Sequence, residues 1–221
     1  MDQYSQEWIQ ARIGKFTGSG IKALMTKPKD KDAAISQTTL SYILEKLGEI
    51  SSGLPADGFT NDATAWGVEN ESLARKWYQK QTGLKVEEVG FITHPELPYL
   101  GGSPDGVVSH NDDKGIVEIK CPYKSANHLA HLLIDSPAYF KANFPDYYWQ
   151  CVCNMLCTGS TFADFVSFDP RLKDDCGLFL FRLPLSLEDG QALIDAAKSA
   201  RAFMEKIAAE RFKINVEPVA A

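Results

Sequence analysis

Two carboxylates and one lysine carry most of the chemistry that this 221-residue sequence announces. Asp105 sits in a Ser103-Pro-Asp-Gly106 segment, Glu118 follows thirteen residues later, and Lys120 comes two positions after Glu118. Around Glu118 the residue types alternate. Val117, Ile119 and Cys121 are apolar while Glu118 and Lys120 occupy the other parity, so a strand of period two projects both charged side chains from one face. Hard oxygen ligands suit Mg²⁺, and an ammonium beside them suits hydrolysis of a phosphodiester. Each part also has a plainer reading, a type I turn for Ser103–Gly106 and a polar strand face for Glu118 and Lys120.

A third acid belongs to a helix expected over residues 62–82 and ended by Gly83. On it Gly67, Glu71, Ala74 and Tyr78 form one stripe at helical spacing. Small neighbours let that stripe approach a sheet closely, and a carboxylate buried there needs a metal or a hydrogen-bonding partner. The alternative is that Trp66, Leu73 and Trp77 do the packing and Glu71 faces solvent.

The other elements expected to position these groups are a short helix beginning at Thr17 or Ser19 and running to Met25, and helices over 39–50, 128–134, 147–156 and 187–211. In the 39–50 helix Leu40, Ile43, Leu44 and Leu47 make the apolar face. Strands are expected over 86–92, 106–109, 115–121, 162–168 and 178–183. Helices first, then a strand meander, then mixed elements predict an α/β (α+β) chain with a mixed central sheet flanked by helices. One domain over residues 1–221 is the simplest organisation, with a tail from about 213 that frays.

Bulk properties narrow the classes. The hydrophobic content of 44% supports a substantial core. No signal peptide or apolar span is apparent, which predicts a soluble, cytoplasmic protein with no membrane partner. Five cysteines lack disulfide-framework spacing and read as buried small hydrophobes rather than a metal cluster. The net charge of −6 argues against a broad basic DNA-coating surface, although Arg12, Lys15, Lys22, Lys27, Lys29 and Lys31 gather positive charge early.

Several separated motifs together resemble the lambda-exonuclease-like viral recombinases (alkaline exonucleases) of the PD-(D/E)XK nuclease superfamily. They are Trp8 with Arg12-Ile-Gly; Thr17-Gly-Ser19; Ala65-Trp-Gly with Glu71 and Ala74-Arg75; Ser103-Pro-Asp-Gly106; Glu118-Ile-Lys-Cys-Pro122; Gln150; and Asp169-Pro-Arg171 with Lys173. The resemblance spans residues 7–171 and implies a restriction-endonuclease-like PD-(D/E)XK core. It further implies that Asp105, Glu118, the Ile119 backbone carbonyl and Glu71 hold two Mg²⁺ ions, with Mn²⁺ an acceptable substitute. Lys120 would stand beside the attacking water, and Arg12, Ser19, Ser103 and Gln150 would bind a 5′-phosphate. An arginine fork with hydroxyl and amide donors suits a dianionic terminal phosphate.

The same resemblance implies a homotrimeric ring enclosing linear double-stranded DNA. The activity implied is processive 5′→3′ digestion to 5′-mononucleotides, leaving 3′ single-stranded tails, in phage-type recombination with a single-strand annealing protein. Lys29 falls where the family tends to place a basic DNA contact. Two positions depart from the pattern: Thr64 stands where an apolar residue parts the terminal base pair, and Ala126 where a basic residue would hold DNA. The rival readings are another PD-(D/E)XK nuclease, RecB-like or junction-cleaving, and a catalytically silent DNA-end-binding module. Products on linear and branched DNA separate the first, and an assay with and without Mg²⁺ decides the second.

Overall fold

The computed structural model describes residues 3, 5–30, 32–56, 62–173 and 176–216, with 62–64 described by backbone only. Its centre is a four-stranded mixed sheet in the order β4-β5-β6-β7, made of Gly106–His110, Asp113–Lys120, Phe162–Phe168 and Leu178–Pro184. Strands β4 and β5 pair antiparallel, β5 and β6 parallel, and β6 and β7 antiparallel. The β4–β5 hairpin turns through Asn111 and Asp112, where Asn111 takes the left-handed conformation at φ 57°. Asparagine accepts that region more readily than most residues, which suits a two-residue hairpin loop. A second, smaller sheet has the order β1-β3-β2, from Phe16–Thr17, Leu100–Gly102 and Ile92–Thr93.

Helices cover both faces of the larger sheet. On one face α3, Asp62–Thr82, packs Ala74 and Tyr78 against Val117, Ile119 and Val166. The small-residue stripe is therefore the packing face, while Leu73 and Trp77 lie exposed. Gly83, with φ 72°, ends the helix as expected. On the other face α6, Pro145–Thr158, brings Cys151, Val152, Cys153, Met155 and Cys157 into the main core. Cysteine there serves as a small hydrophobe, and among the described residues all five cysteines are free thiols. The long α7, Leu187–Ile207, and α2, Gln37–Ser52, pack in the same layer.

Several expectations change on contact with the structure. The segment 17–25 forms a 3₁₀ turn, Gly18–Ala23, rather than an α-helix, and a helix not expected, α1 at Gln6–Arg12, precedes it. In α2 the buried residues include Tyr42, Ile43, Lys46 and Leu47, and Leu44 points out. The expected strand over 86–92 shrinks to a single bridge, Glu87 with Val107, before Ile92 and Thr93 join the small sheet. Between α4, Ser125–His131, and α6 lies a further helix, α5, Pro137–Asn143. Near the end of the described residues, Ile214 bonds back to Ala208 and, with Val216, packs on the main core. Residues 217–221 lie outside the described residues. No described helix is long and apolar enough to cross a membrane.

Candidate active site

Strand β5 is hydrogen-bonded on both sides, and its alternation directs Val117 and Ile119 to α3 and Glu118 and Lys120 to the α6 side. Lys120 Nζ lies 2.6 Å from Glu118 Oε1, confirming that the two share a face. Glu118 is only 1% exposed. Its other oxygen, Oε2, accepts from Asn154 Nδ2 on α6 at 2.9 Å. Asp105 reaches the same place from the end of β4. Its backbone N–H donates to the Val117 carbonyl and its carboxylate accepts from the Ile119 N–H. Asp105 forms a bend that leads into β4, and no i→i+3 backbone hydrogen bond closes Ser103–Gly106 among the described residues. Gly106 is needed for close approach: a methyl there would stand 2.2 Å from Val86 Cγ1.

Crowding of like charge shows in the acidities. Loss of hydration pushes the Asp105 carboxyl well above the usual carboxylate range; Glu118 and Glu71 push the same way, against Lys120 and the Ile119 N–H. Burial works to strip the Lys120 proton, but Glu118 and Asp105 outweigh it and hold the ammonium above its ordinary range. Burial raises the Cys121 thiol to about 12, helped by Glu71 and Asp105, which keeps it protonated and disfavours a thiolate at this edge.

Glu71 comes to the cluster from α3. Burial raises its carboxyl, Arg75 opposes that, and Glu118 adds to it. Its Oε1 accepts from Arg75 Nη2 at 2.6 Å, and Arg75 Nη1 holds Glu88 at 2.7 Å. Among the described residues no three His, Cys, Asp or Glu side chains stand ready around a common point. The reason is visible in the partners: Glu118 is taken by Lys120 and Asn154, Asp105 by Ile119, and Glu71 by Arg75. The donor set nevertheless fits a hard divalent cation, because Asp105, Glu118 and Glu71 all offer carboxylate oxygens and a cation would relieve their mutual repulsion.

Next to these acids lies a group of hydrogen-bond donors. Arg12 Nη2 is 3.4 Å from Ser19 Oγ, and its guanidinium stacks 4.0 Å from the Trp8 ring. Trp8 Nε1 donates to Ser103 Oγ at 2.9 Å. Gln150 on α6 lies against Gly18, beside Ser19. The structure thus links Arg12 to Ser19, links Ser103 to Arg12 through the Trp8 indole, and sets Gln150 along the same wall.

A family model, the YqaJ-like viral recombinase domain, matches residues 7–161, which contain every one of these groups. The chain belongs to the YqaJ-like viral recombinase family. An alkaline exonuclease from Laribacter hongkongensis, LHK-Exo, is 32% identical with a TM-score of 0.76, covering 91% of this chain and 93% of that one. The structure of LHK-Exo in complex with dAMP is 31% identical with a TM-score of 0.73, covering 96% of this chain and 100% of that one. A phage-related exonuclease from Haemophilus somnus 129PT shares the fold at 19% identity and a TM-score of 0.71, over 89% of this chain and 96% of that one. An uncharacterised protein of Acanthamoeba polyphaga mimivirus is 25% identical over 130 residues, which is 55% of this chain but only 22% of that longer protein. The fold is that of the PD-(D/E)XK alkaline exonucleases, and the family implies a nuclease acting in recombination.

Within this family member the remaining predicted positions fare differently. Lys29 is exposed, with no hydrogen bond or ion pair to the site among the described residues. Ala126 lies in α4. The Thr64 side chain lies outside the described residues. Two participants went unnoticed in the residue pattern, and a third, Arg171, stood there only as part of a motif. Asn154 holds Glu118, and Tyr147 presents its ring 5.2 Å from Lys120 Nζ. Arg171 ties the site together: it donates to the Tyr123 carbonyl at 2.9 Å and the Pro122 carbonyl at 3.3 Å, and sits 4.4 Å from the Trp66 ring of α3. Its bonds to buried Asp169 hold that carboxyl down at about 2. The Asp-Pro-Arg motif signalled this last residue, and nothing simple signalled the other two.

Proposed function

We propose that this viral recombinase is a Mg²⁺-dependent 5′→3′ exonuclease of linear duplex DNA that releases 5′-mononucleotides and leaves 3′ single-stranded tails. The observation that carries the reading is the convergence of Asp105, Glu118 and Lys120 at the end of β5, beside the donor wall of Arg12, Ser19, Ser103 and Gln150. The existence of a dAMP complex of LHK-Exo supports a mononucleotide product.

In this reading Asp105, Glu118, the Ile119 carbonyl and Glu71 hold two Mg²⁺ ions, for which Mn²⁺ substitutes. Bound Mg²⁺ supplies Lewis acidity at the phosphate and a water of lowered pKa. The chain's own residues do the rest. Lys120 stays charged, because Glu118 and Asp105 outweigh its burial, and its ammonium orients the water and balances negative charge as the phosphate is attacked. Arg12 offers a forked cation to the terminal phosphate, Ser19 and Ser103 offer hydroxyls, and Gln150 an amide. Anchoring the 5′ end at that wall places the first internal phosphodiester at the carboxylates, so polarity follows from where the terminal phosphate rests. A homotrimeric ring would keep the enzyme on its substrate, and a single-strand annealing protein would take up the 3′ tail. Lys29 would contact the groove of the duplex, and Thr64 would stand where the terminal base pair parts.

Digestion of linear duplex labelled separately at each end, with and without a 5′-phosphate, in Mg²⁺ or in EDTA, tests this. The expected result is Mg²⁺-dependent release of mononucleotides from 5′-phosphorylated ends, with the 3′-labelled strand persisting. Release from 3′ ends, or equal cutting in EDTA, refutes it.

A further inference from the structure

Asn154 is a polar residue with no exposed surface, one helical turn beyond Gln150 on α6. Its Nδ2 donates to Glu118 Oε2 at 2.9 Å, while Lys120 takes Oε1 at 2.6 Å. Its own Oδ1 has no hydrogen-bond partner among the described residues. An amide buried with its carbonyl unsatisfied is costly, so a compensating role is expected. The surroundings show how it is seated. A methyl at Gly102 would stand 2.1 Å from Asn154 Oδ1, and one at Gly18 would stand 2.9 Å away. The absent side chains of those two glycines make the slot that the carboxamide fills, with glycine Cα hydrogens facing its oxygen. The slot admits one orientation, because turning the amide over would set its oxygen against the Glu118 carboxylate. Both glycines also precede residues of the donor wall, Ser19 and Ser103.

We propose that Asn154 is the positioning residue of the metal site: it holds the Glu118 carboxylate in one orientation, and Gly18 and Gly102 are small so that it can. The inference rests on Glu118 being a metal ligand. Outer partners that orient a ligand typically change metal affinity by about 10–100-fold when removed. The test is calorimetric binding of Mg²⁺, and of Ca²⁺ as a second oxygen-seeking probe, to the full chain without DNA. Wild type, Asn154→Ala, Asn154→Leu and Gly102→Ala are compared, each with its urea midpoint in EDTA. Both Asn154 variants are expected to bind about 10–100-fold more weakly. Leu should be worse than Ala, because Ala leaves room for a water to replace the lost donor. Gly102→Ala should weaken binding too, by displacing the amide, and adding it to Asn154→Ala should cost little more. A purely structural Asn154 would lower the urea midpoint and leave the affinity of the folded protein unchanged, which overturns the proposal. If the leucine variant does not fold, Asn154→Ala and Gly102→Ala decide it alone. Wild type that binds neither cation would instead remove Glu118 as a metal ligand, and the proposal with it.

Discussion

Lowering the pH from 7.5 to 5 should destabilise this protein, and His131 should carry a distinct share of the loss. The ring is 2% exposed, its Nδ1 lies 2.7 Å from Ser167 Oγ, and it stands edge-on to Phe144, Tyr147 and Phe165 at 5.0, 5.5 and 5.3 Å. Burial pushes its pKa from 6.5 down to about 4, and charge on His128 and Lys120 pushes the same way. The native state therefore refuses a proton that the unfolded chain accepts below 6.5. Stability is full above that pH, falls as the pH drops through the window from 6.5 to about 4, and changes no further below it. At about 1.4 kcal/mol per pH unit the whole effect reaches about 3 kcal/mol, of which about 2 should be gone by pH 5. Urea unfolding in EDTA, followed by tryptophan fluorescence across this range, measures it. Asn at position 131 keeps an amide donor near Ser167 but cannot take the proton. His131→Asn should start less stable, because it leaves space among the rings, and should then lose about 2 kcal/mol less than wild type between pH 7.5 and 5. Comparing the two curves cancels the carboxylates and the histidines that share no partner with His131, leaving the coupled pair with His128 through Ser167. Parallel curves would refute the assignment. Because the Tyr147 ring packs against both His131 and Lys120, the variant should also keep more of its activity at pH 5.5.

Three further outcomes follow from the site. Lys120→Met should lower the single-turnover cleavage rate about 10²–10⁴-fold with DNA binding retained, and robust digestion by that variant would remove Lys120 from the chemistry. Arg12→Ala should reduce the preference for 5′-phosphorylated over 5′-hydroxyl ends, read from paired kcat/KM values; an unchanged ratio would take Arg12 out of end recognition. Tyr78→Phe should cost about 1–2 kcal/mol in urea unfolding, because the lost hydroxyl donates at 2.7 Å to the fully buried Asp164, leaving Arg182 as its remaining partner. Its cleavage rate should stay near wild type, since this network lies on the α3 side of the sheet.

What the sequence made legible was periodic and close in the chain. Alternation around Glu118 placed two charges on one face of β5, and a stripe of small residues put Glu71 on the packing side of α3. Gly83 marked the end of that helix. The small sheet escaped because strands of two or three residues, such as β1 and β3, are too short to display a period. Residues 86–92 were rich enough in β-formers to suggest a strand, yet the Val86 N–H bonds to the Gln79 side chain and only Glu87 pairs with the sheet. Asn154 and His131 escaped for another reason. A polar residue in a helix ordinarily reads as solvent-facing, and only the tertiary packing reveals that it is enclosed. The weak clue was present in α6, where Asn154 interrupts a run that is apolar on every side.

Arg171 has a consequence for anyone scanning this protein by mutation. Its guanidinium fastens the two carbonyls that follow the catalytic strand and at the same time leans on Trp66, in the helix that brings Glu71. Two pieces of the chain more than fifty residues apart are thereby clasped at a fixed separation. A substitution there is expected to lower activity by letting α3 shift against the end of β5, with Asp105, Glu118 and Lys120 themselves intact. Loss of function at this position would then report on alignment rather than on chemistry. A map of inactive mutants would draw the active site larger than it is, and its outline would trace the clasp as well as the blade.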